Sequence, residues 1–277
     1  MSAPARSAIV ILGDGTPILS AERSGTSIGI VVRGTLYIFD AGPGVLRRIQ
    51  EARERLGLGI QRQGPVFVTH LHSDHTLGVP ELLYYPDAPS LMLFGPPGIE
   101  AFLTRLQEAW TEDRHIRSSS GMPSDQRLAE RVTAAKAQEV KAGVVYADSN
   151  LTVKAFPVPH GTWQHAFGYR IEAPDRVIVI SGDTRPSEAV VEACGGCDVL
   201  FHAVYNAENS LPAADSLYFG RFHTNTRELA DLATRARPGV LILYHQIFMG
   251  KRPAELVRQV SARFRGPVIS ARDLDVY

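Results

Sequence analysis

The sequence predicts an α+β fold in which two β-sheets pack together with helices outside, and three observations predict it. Strand-like and helix-like segments are mixed in each of two successive halves of the chain. The 277 residues are 44% hydrophobic and 21% charged, ample apolar material for a large core. No internal repeat or low-complexity linker divides the chain, so 1–277 is expected to be a single domain. Pattern alone also permits a doubly wound sheet.

From Ala8 the run Ala-Ile-Val-Ile-Leu-Gly is an apolar strand stopped by the turn residues that follow it. Strands at Ile28 to Val32 and Leu36 to Asp40 flank an Arg33-Gly34 turn and complete a β-meander. Val45, Leu46, Ile49, Ala52 and Leu56 recur at helical spacing and predict an amphipathic helix over Pro43 to Arg62. A short buried strand, Val66 to Thr69, ends abruptly in His70-Leu-His-Ser-Asp-His75, and a helical segment follows from Gly78 to Tyr85. Leu91 to Phe94 reads as a strand closed by Gly95-Pro-Pro-Gly98, with a helix from Ile99 to Trp110. The polar stretch Glu112 to Val140 reads as a lid, within an insertion at about 99–150. Strands return at Leu151 to Phe156, Phe167 to Glu172, Val177 to Ser181, Val199 to His202, Val240 to Tyr244 and Pro267 to Ile269. Helices are predicted at Pro186 to Ala193, Leu229 to Arg235 and Pro253 to Arg263.

Lys plus Arg equal Asp plus Glu at 29 each, so no global charge favours nucleic acid or an anionic membrane. No apolar run is long enough to span a bilayer, and Met1 to Ala8 lacks the pattern of a secretory signal. A soluble, cytoplasmic protein is expected. The two cysteines, Cys194 and Cys197, read as small residues at a turn rather than as a disulfide scaffold or a zinc knuckle.

Three of the nine histidines fall within six residues. An extended strand end points His70 and His72 the same way, and the turn after it presents Asp74 and His75 together. Such a cluster is repulsive when protonated and costly to desolvate, whereas one divalent metal satisfies every member at once. His160, Asp183 and His245 each follow a predicted strand, and strand ends far apart in sequence can converge on one edge.

Through Thr69-His-Leu-His-Ser-Asp-His75, Phe39-Asp-Ala-Gly42, His160, Asp183 and His245 the chain resembles the metallo-β-lactamase superfamily. Leu12-Gly-Asp-Gly-Thr-Pro17, Leu93-Phe-Gly-Pro-Pro-Gly98, Phe167-Gly-Tyr-Arg170, Ser181-Gly-Asp-Thr-Arg-Pro186 and His223-Thr-Asn-Thr226 place it nearest the ribonuclease Z and arylsulfatase-like branch. The resemblance implies an αββα sandwich, two mixed β-sheets face to face with helices outside, carrying a binuclear metal site. It implies that His70, His72 and His160 hold one ion, that Asp74, His75 and His245 hold the other, and that Asp183 bridges them. Imidazole and carboxylate without thiolate suit two Zn²⁺ ions first, with Mn²⁺ or Fe²⁺ as alternatives. Ions about 3.5–4 Å apart would share a hydroxide, the attacking nucleophile. Asp74 and His223 are the catalytic candidates. His223 stands outside the ligand set, with a role in protonating the leaving group or stabilising an oxyanion that calls for a mobile, exposed imidazole. The plainer reading of Thr224, Asn225 and Thr226 is a helix cap. Asp40 would orient a ligand imidazole, or cap a turn. Trp163, His165, His202, Tyr205, Phe222 and Met249 are candidates for the pocket around the metals.

Two departures bear on substrate. Ala203 follows His202 where the ribonuclease Z branch has Glu, and no Gly/Pro-rich arm for gripping tRNA is present. With the neutral charge, these favour hydrolysis of an ester-like bond in a small molecule: a phosphodiester, sulfate ester, lactone or cyclic amide. A ribonuclease Z-like RNA endonuclease and a non-catalytic metal-binding sensor are the alternatives. The expected partner is thus a small-molecule substrate, with nucleic acid disfavoured, no membrane, and a homodimer left open.

Overall fold

The computed structural model describes residues 6–18, 20–84, 90–208 and 212–277. Tyr85, the last residue of one expected helix, and the first five residues of the Met1 to Ala8 segment lie outside the described residues. The chain divides into two compact units, Ala8–Val140 with Asp273–Tyr277, and Lys141–Arg272 with Ser7 on its N-terminal side.

In the first unit, β1 (Ala8–Gly13), β2 (Ser27–Val32) and β3 (Thr35–Phe39) form the expected antiparallel meander. Helix α1 (Val45–Arg55) buries Val45, Ile49 and Ala52 and stops well before Arg62. Gly57 and Gly59 adopt left-handed backbone there, and Gln61 and Arg62 donate their N–H groups to Gly34 O. Arg62, the last residue of the expected helix, therefore opens β4 (Arg62–Phe67), parallel to β3. Next come α2 (Ser73–Thr76), α3 (Val79–Leu83) and β5 (Met92–Gly95), parallel to β4. Then follow α4 (Ile99–Ala109), α5 (Thr111–Ser119), α6 (Pro123–Ala134) and β6 (Lys136–Glu139). The polar 112–140 segment is thus two helices and a strand. Leu128 and Val132 of α6 join the apolar core of this unit, and β6 extends its sheet to six strands in the order β1-β2-β3-β4-β5-β6.

The second unit holds β7 (Gly143–Ala147), β8 (Thr152–Pro157), β9 (Phe167–Glu172), β10 (Val177–Ile180) and α7 (Glu188–Cys194). It continues with β11 (Val199–Tyr205), α8 (Ala213–Phe222), α9 (Thr226–Ala236), β12 (Val240–Ile247), α10 (Pro253–Ser261) and β13 (Val268–Ser270). Its seven strands run in the order β13-β12-β11-β10-β9-β8-β7, antiparallel at the β7 end and parallel from β10 onward. Two mixed sheets, each with helices, give the α+β class expected. Cys194 and Cys197 need correction: the left-handed Gly195-Gly196 turn brings their Cα atoms to 4.7 Å, and the buried pair forms a disulfide. Among the described residues, no helix is long and apolar enough to cross a membrane.

Candidate metal centre

In the first unit the site begins at Asp40, just past β3, in left-handed backbone with φ of 58°. Its N–H donates to Phe67 O at 2.7 Å, which turns the carboxylate toward the end of β4. Oδ1 accepts the Thr69 N–H at 2.7 Å, and Oδ2 accepts the Thr69 hydroxyl at 2.9 Å and pairs with His75 Nδ1 at 2.8 Å. All three residues are buried. A proton on Nδ1 leaves Nε2 as the coordinating nitrogen of His75, and that atom lies 3.6 Å from Asp74 Oδ2.

Backbone contacts fix this arrangement. Ala41 N–H donates to His75 O, and Gly78 N–H donates to Ala41 O, both at 2.8 Å. A Cβ on Gly42 would lie 2.5 Å from Asp74 O, and one on Gly78 would lie 2.3 Å from Gly42 O, so this close approach requires glycine. His72 is the N-cap residue of the one-turn α2, which carries Asp74 and His75, rather than part of a continuing strand end. His70 Nε2 and His72 Nδ1 stand 2.9 Å apart, and His70 Nδ1 is 3.0 Å from the Thr69 hydroxyl. Thr69, read from sequence only as a strand end, positions both Asp40 and His70; its place directly ahead of the motif was the available signal.

In the second unit, His160 is buried and its Nδ1–H donates to Phe222 O at 2.8 Å, leaving Nε2 for coordination. Asp183 follows β10, with Oδ1 3.5 Å from His245 Nδ1 and Oδ2 3.8 Å from His223 Nδ1. The donor atoms of Asp183, His223 and His245 all lie within 4.8 Å of one another. His245 does not follow its strand as the sequence suggests. Ala203 pairs with Tyr244 and Val204 with Gln246, so His245 is the extra residue of a β-bulge inside β12, with φ of 46°. The bulge takes its side chain out of the strand's alternation. His223 is also corrected: it is buried, not exposed, and its ring centroid is 5.4 Å from that of His160. Asn225 caps α9 through a capping box with Glu228, so the helix-cap reading holds for that residue. The Thr224 hydroxyl donates to Thr184 O at 2.8 Å, tying the His223 loop to the Asp183 loop.

The remaining candidates lie in this unit too. His202 is fully buried and bonded to Ala203 O at 2.7 Å; burial pushes its pKa down to about 4, so the imidazole is neutral at pH 7. Tyr205 is buried, with its phenol pKa raised by burial, and packs on Phe219. Phe222 meets His160 edge-on, Trp163 pairs with His160 across an isolated bridge, Met249 is half-buried, and His165 is exposed.

Both units supply buried imidazole and carboxylate donors with no thiolate, and in both a histidine has its Nδ1 held by a protein oxygen. The donors of each unit by themselves fit divalent metal.

Residues 35–246 match the family model described as a β-lactamase superfamily domain. The ribonuclease Z of Mycolicibacterium gilvum is 29% identical over 248 residues, covering 86% of this chain and 84% of the relative. The metallo-β-lactamase fold protein YhfI from Bacillus subtilis superposes with a TM-score of 0.74 at 15% identity, covering 98% of both chains. Human tRNase Z, short form, superposes with a TM-score of 0.67 at 22% identity, again over 98% of both. The ribonuclease Z relatives overturn the expectation of a small-molecule partner with nucleic acid disfavoured. That expectation leaned on net charge, a sum over the whole surface that says little about the residues around one cleft.

Proposed function

Because the chain belongs to the β-lactamase superfamily and is a metal-dependent hydrolase, we propose that it hydrolyses a phosphodiester bond of RNA. The likeness to ribonuclease Z over 86% of the chain carries this reading. The absence of a Gly/Pro-rich arm concerns how RNA is gripped, and Ala203, fully buried in β11 beside His202, is none of the assigned ligands.

His70, His72 and His160 are assigned to one ion, Asp74, His75 and His245 to the other, and Asp183 to both. Zn²⁺ suits these donors first, with Mn²⁺ and Fe²⁺ as alternatives. When bound, two such ions lower the pKa of water and offset charge on the phosphoryl oxygens. Asp40 holds the proton of His75 on Nδ1 and so keeps Nε2 a lone-pair donor. Phe222 O does the same for His160. His223, buried with Nδ1 3.8 Å from Asp183 Oδ2, is assigned as the acid that protonates the leaving oxygen, a fixed imidazole rather than the mobile, exposed one expected.

Incubation of the metal-loaded protein with a 3′-extended precursor tRNA, beside chromogenic phosphodiester, sulfate ester and lactone substrates, tests the reading. Endonucleolytic cleavage of the RNA is expected. Turnover of a small ester with the RNA left intact would refute it.

A further inference from the structure

Helix α8 carries an aromatic ladder that leads from solvent to His160. Tyr218 is 53% exposed, and its ring stacks on Phe222 with centroids 4.6 Å apart and planes 27° from parallel. Phe222 meets His160 edge-on at 5.2 Å while its carbonyl accepts the His160 Nδ1–H. Gly161 makes room for that ring: a Cβ there would lie 2.0 Å from Phe222 Cε1, and φ is 54°. The inner ring is therefore locked against an assigned metal ligand, and the outer one offers a fixed, largely uncovered aromatic surface. Two arginines join the His160 loop through their backbones. Arg221 O accepts the Gly161 N–H at 3.0 Å and Arg185 N–H donates to Pro159 O at 3.1 Å, so an exposed arginine adjoins each side of His160.

We propose that Tyr218 is the platform on which a nucleobase next to the cleaved phosphodiester stacks, with Arg185 and Arg221 facing the adjoining phosphates. This rests on the RNA reading above and adds the part of the substrate the metals do not touch. Unpaired bases are read by stacking on aromatic rings, and every base has a face to offer, so such a platform selects nucleic acid over other phosphodiesters without demanding one sequence. A rigid two-ring stack loses little conformational freedom on binding, which suits Tyr218 to the task better than an isolated surface tyrosine.

The test uses metal-loaded protein and hairpin RNAs with a single-stranded 3′ extension, a phosphorothioate at the cleaved linkage, and one abasic site moved through the strand. Equilibrium binding is measured for wild type, Tyr218→Phe and Tyr218→Leu, the last retaining apolar bulk against Phe222 so that the fold is kept. In wild type, removing the base at one position beside the linkage should weaken binding roughly tenfold. Tyr218→Phe should keep that sensitivity and Tyr218→Leu should abolish it. No sensitive position, or sensitivity that persists in Tyr218→Leu, would overturn the platform alone. Failure of the wild type to bind any of these RNAs would overturn the RNA reading beneath it.

Discussion

Asp40 Oδ2 and His75 Nδ1 lie 2.8 Å apart with both side chains buried, although 35 residues separate them in sequence. The carboxylate also takes two hydrogen bonds from Thr69, so its position is set independently of His75. The imidazole is thereby held in one orientation and one tautomer.

Asp40→Ala should therefore weaken metal binding by roughly 10–100-fold, because His75 loses the partner that fixes its coordinating nitrogen. Asp40→Asn should recover part of the loss, since an amide oxygen can accept one of the three bonds. Competition with a chromogenic chelator reads both values, and an unchanged affinity in Asp40→Ala would remove Asp40 from the site.

Asp183→Ala and His223→Ala should fail differently. Asp183 lies within 3.8 Å of both His223 and His245 and is assigned to both ions, so its loss should lower metal content and turnover together. His223→Ala should keep its metal while the chemical step slows by roughly 10²–10⁴-fold, and less for substrates with a good leaving group. Elemental analysis beside single-turnover kinetics separates the two. Equal metal loss in both variants would make His223 a ligand.

Gly161→Ala should destabilise the second unit. The new Cβ would overlap the Phe222 ring while the backbone sits at a positive φ, and relieving both displaces the carbonyl that holds His160. A cost of about 1–3 kcal/mol is expected for overpacking of this kind, read as a lower Tm, with weaker metal binding alongside. A Tm equal to wild type would show that the ring moves aside freely.

Hydrogen bonds from Lys154, first, and Arg170 lower the pKa of Glu172. A carboxylate with a depressed folded pKa contributes stability above its unfolded pKa and loses it as pH falls through the folded value. Glu172→Gln should thus cost less than about 1 kcal/mol at pH 7 after solvent screening, with the difference from wild type vanishing below the carboxylate range. A difference that persists unchanged at pH 2 would assign the effect to packing.

The sequence was most informative where a local motif carries the chemistry. His70, His72, Asp74 and His75 lie within six residues, and their types and spacing suffice to name a metal. The bulge at His245 was hidden because it exists only relative to the register of β11, a tertiary fact. Helix α5 buries nothing, and most of α8 faces solvent, so neither leaves an apolar period to read. In α1 the apolar spacing was extended past Gly57, whose left-handed backbone ends the helix. The burial of His223 depends on the loops of Asp183 and His160 packing around it, contacts that no run of neighbouring residues encodes.

Titration of metal-free protein with Zn²⁺, while cleavage of a labelled precursor tRNA is followed, decides whether this chain hydrolyses RNA by means of metal. Cleavage should be absent at zero metal, rise with added Zn²⁺ and level off near two equivalents per chain. Cleavage that proceeds at full rate in chelator, or none at any amount of Zn²⁺, Mn²⁺ or Fe²⁺, would contradict metal-dependent hydrolysis of RNA.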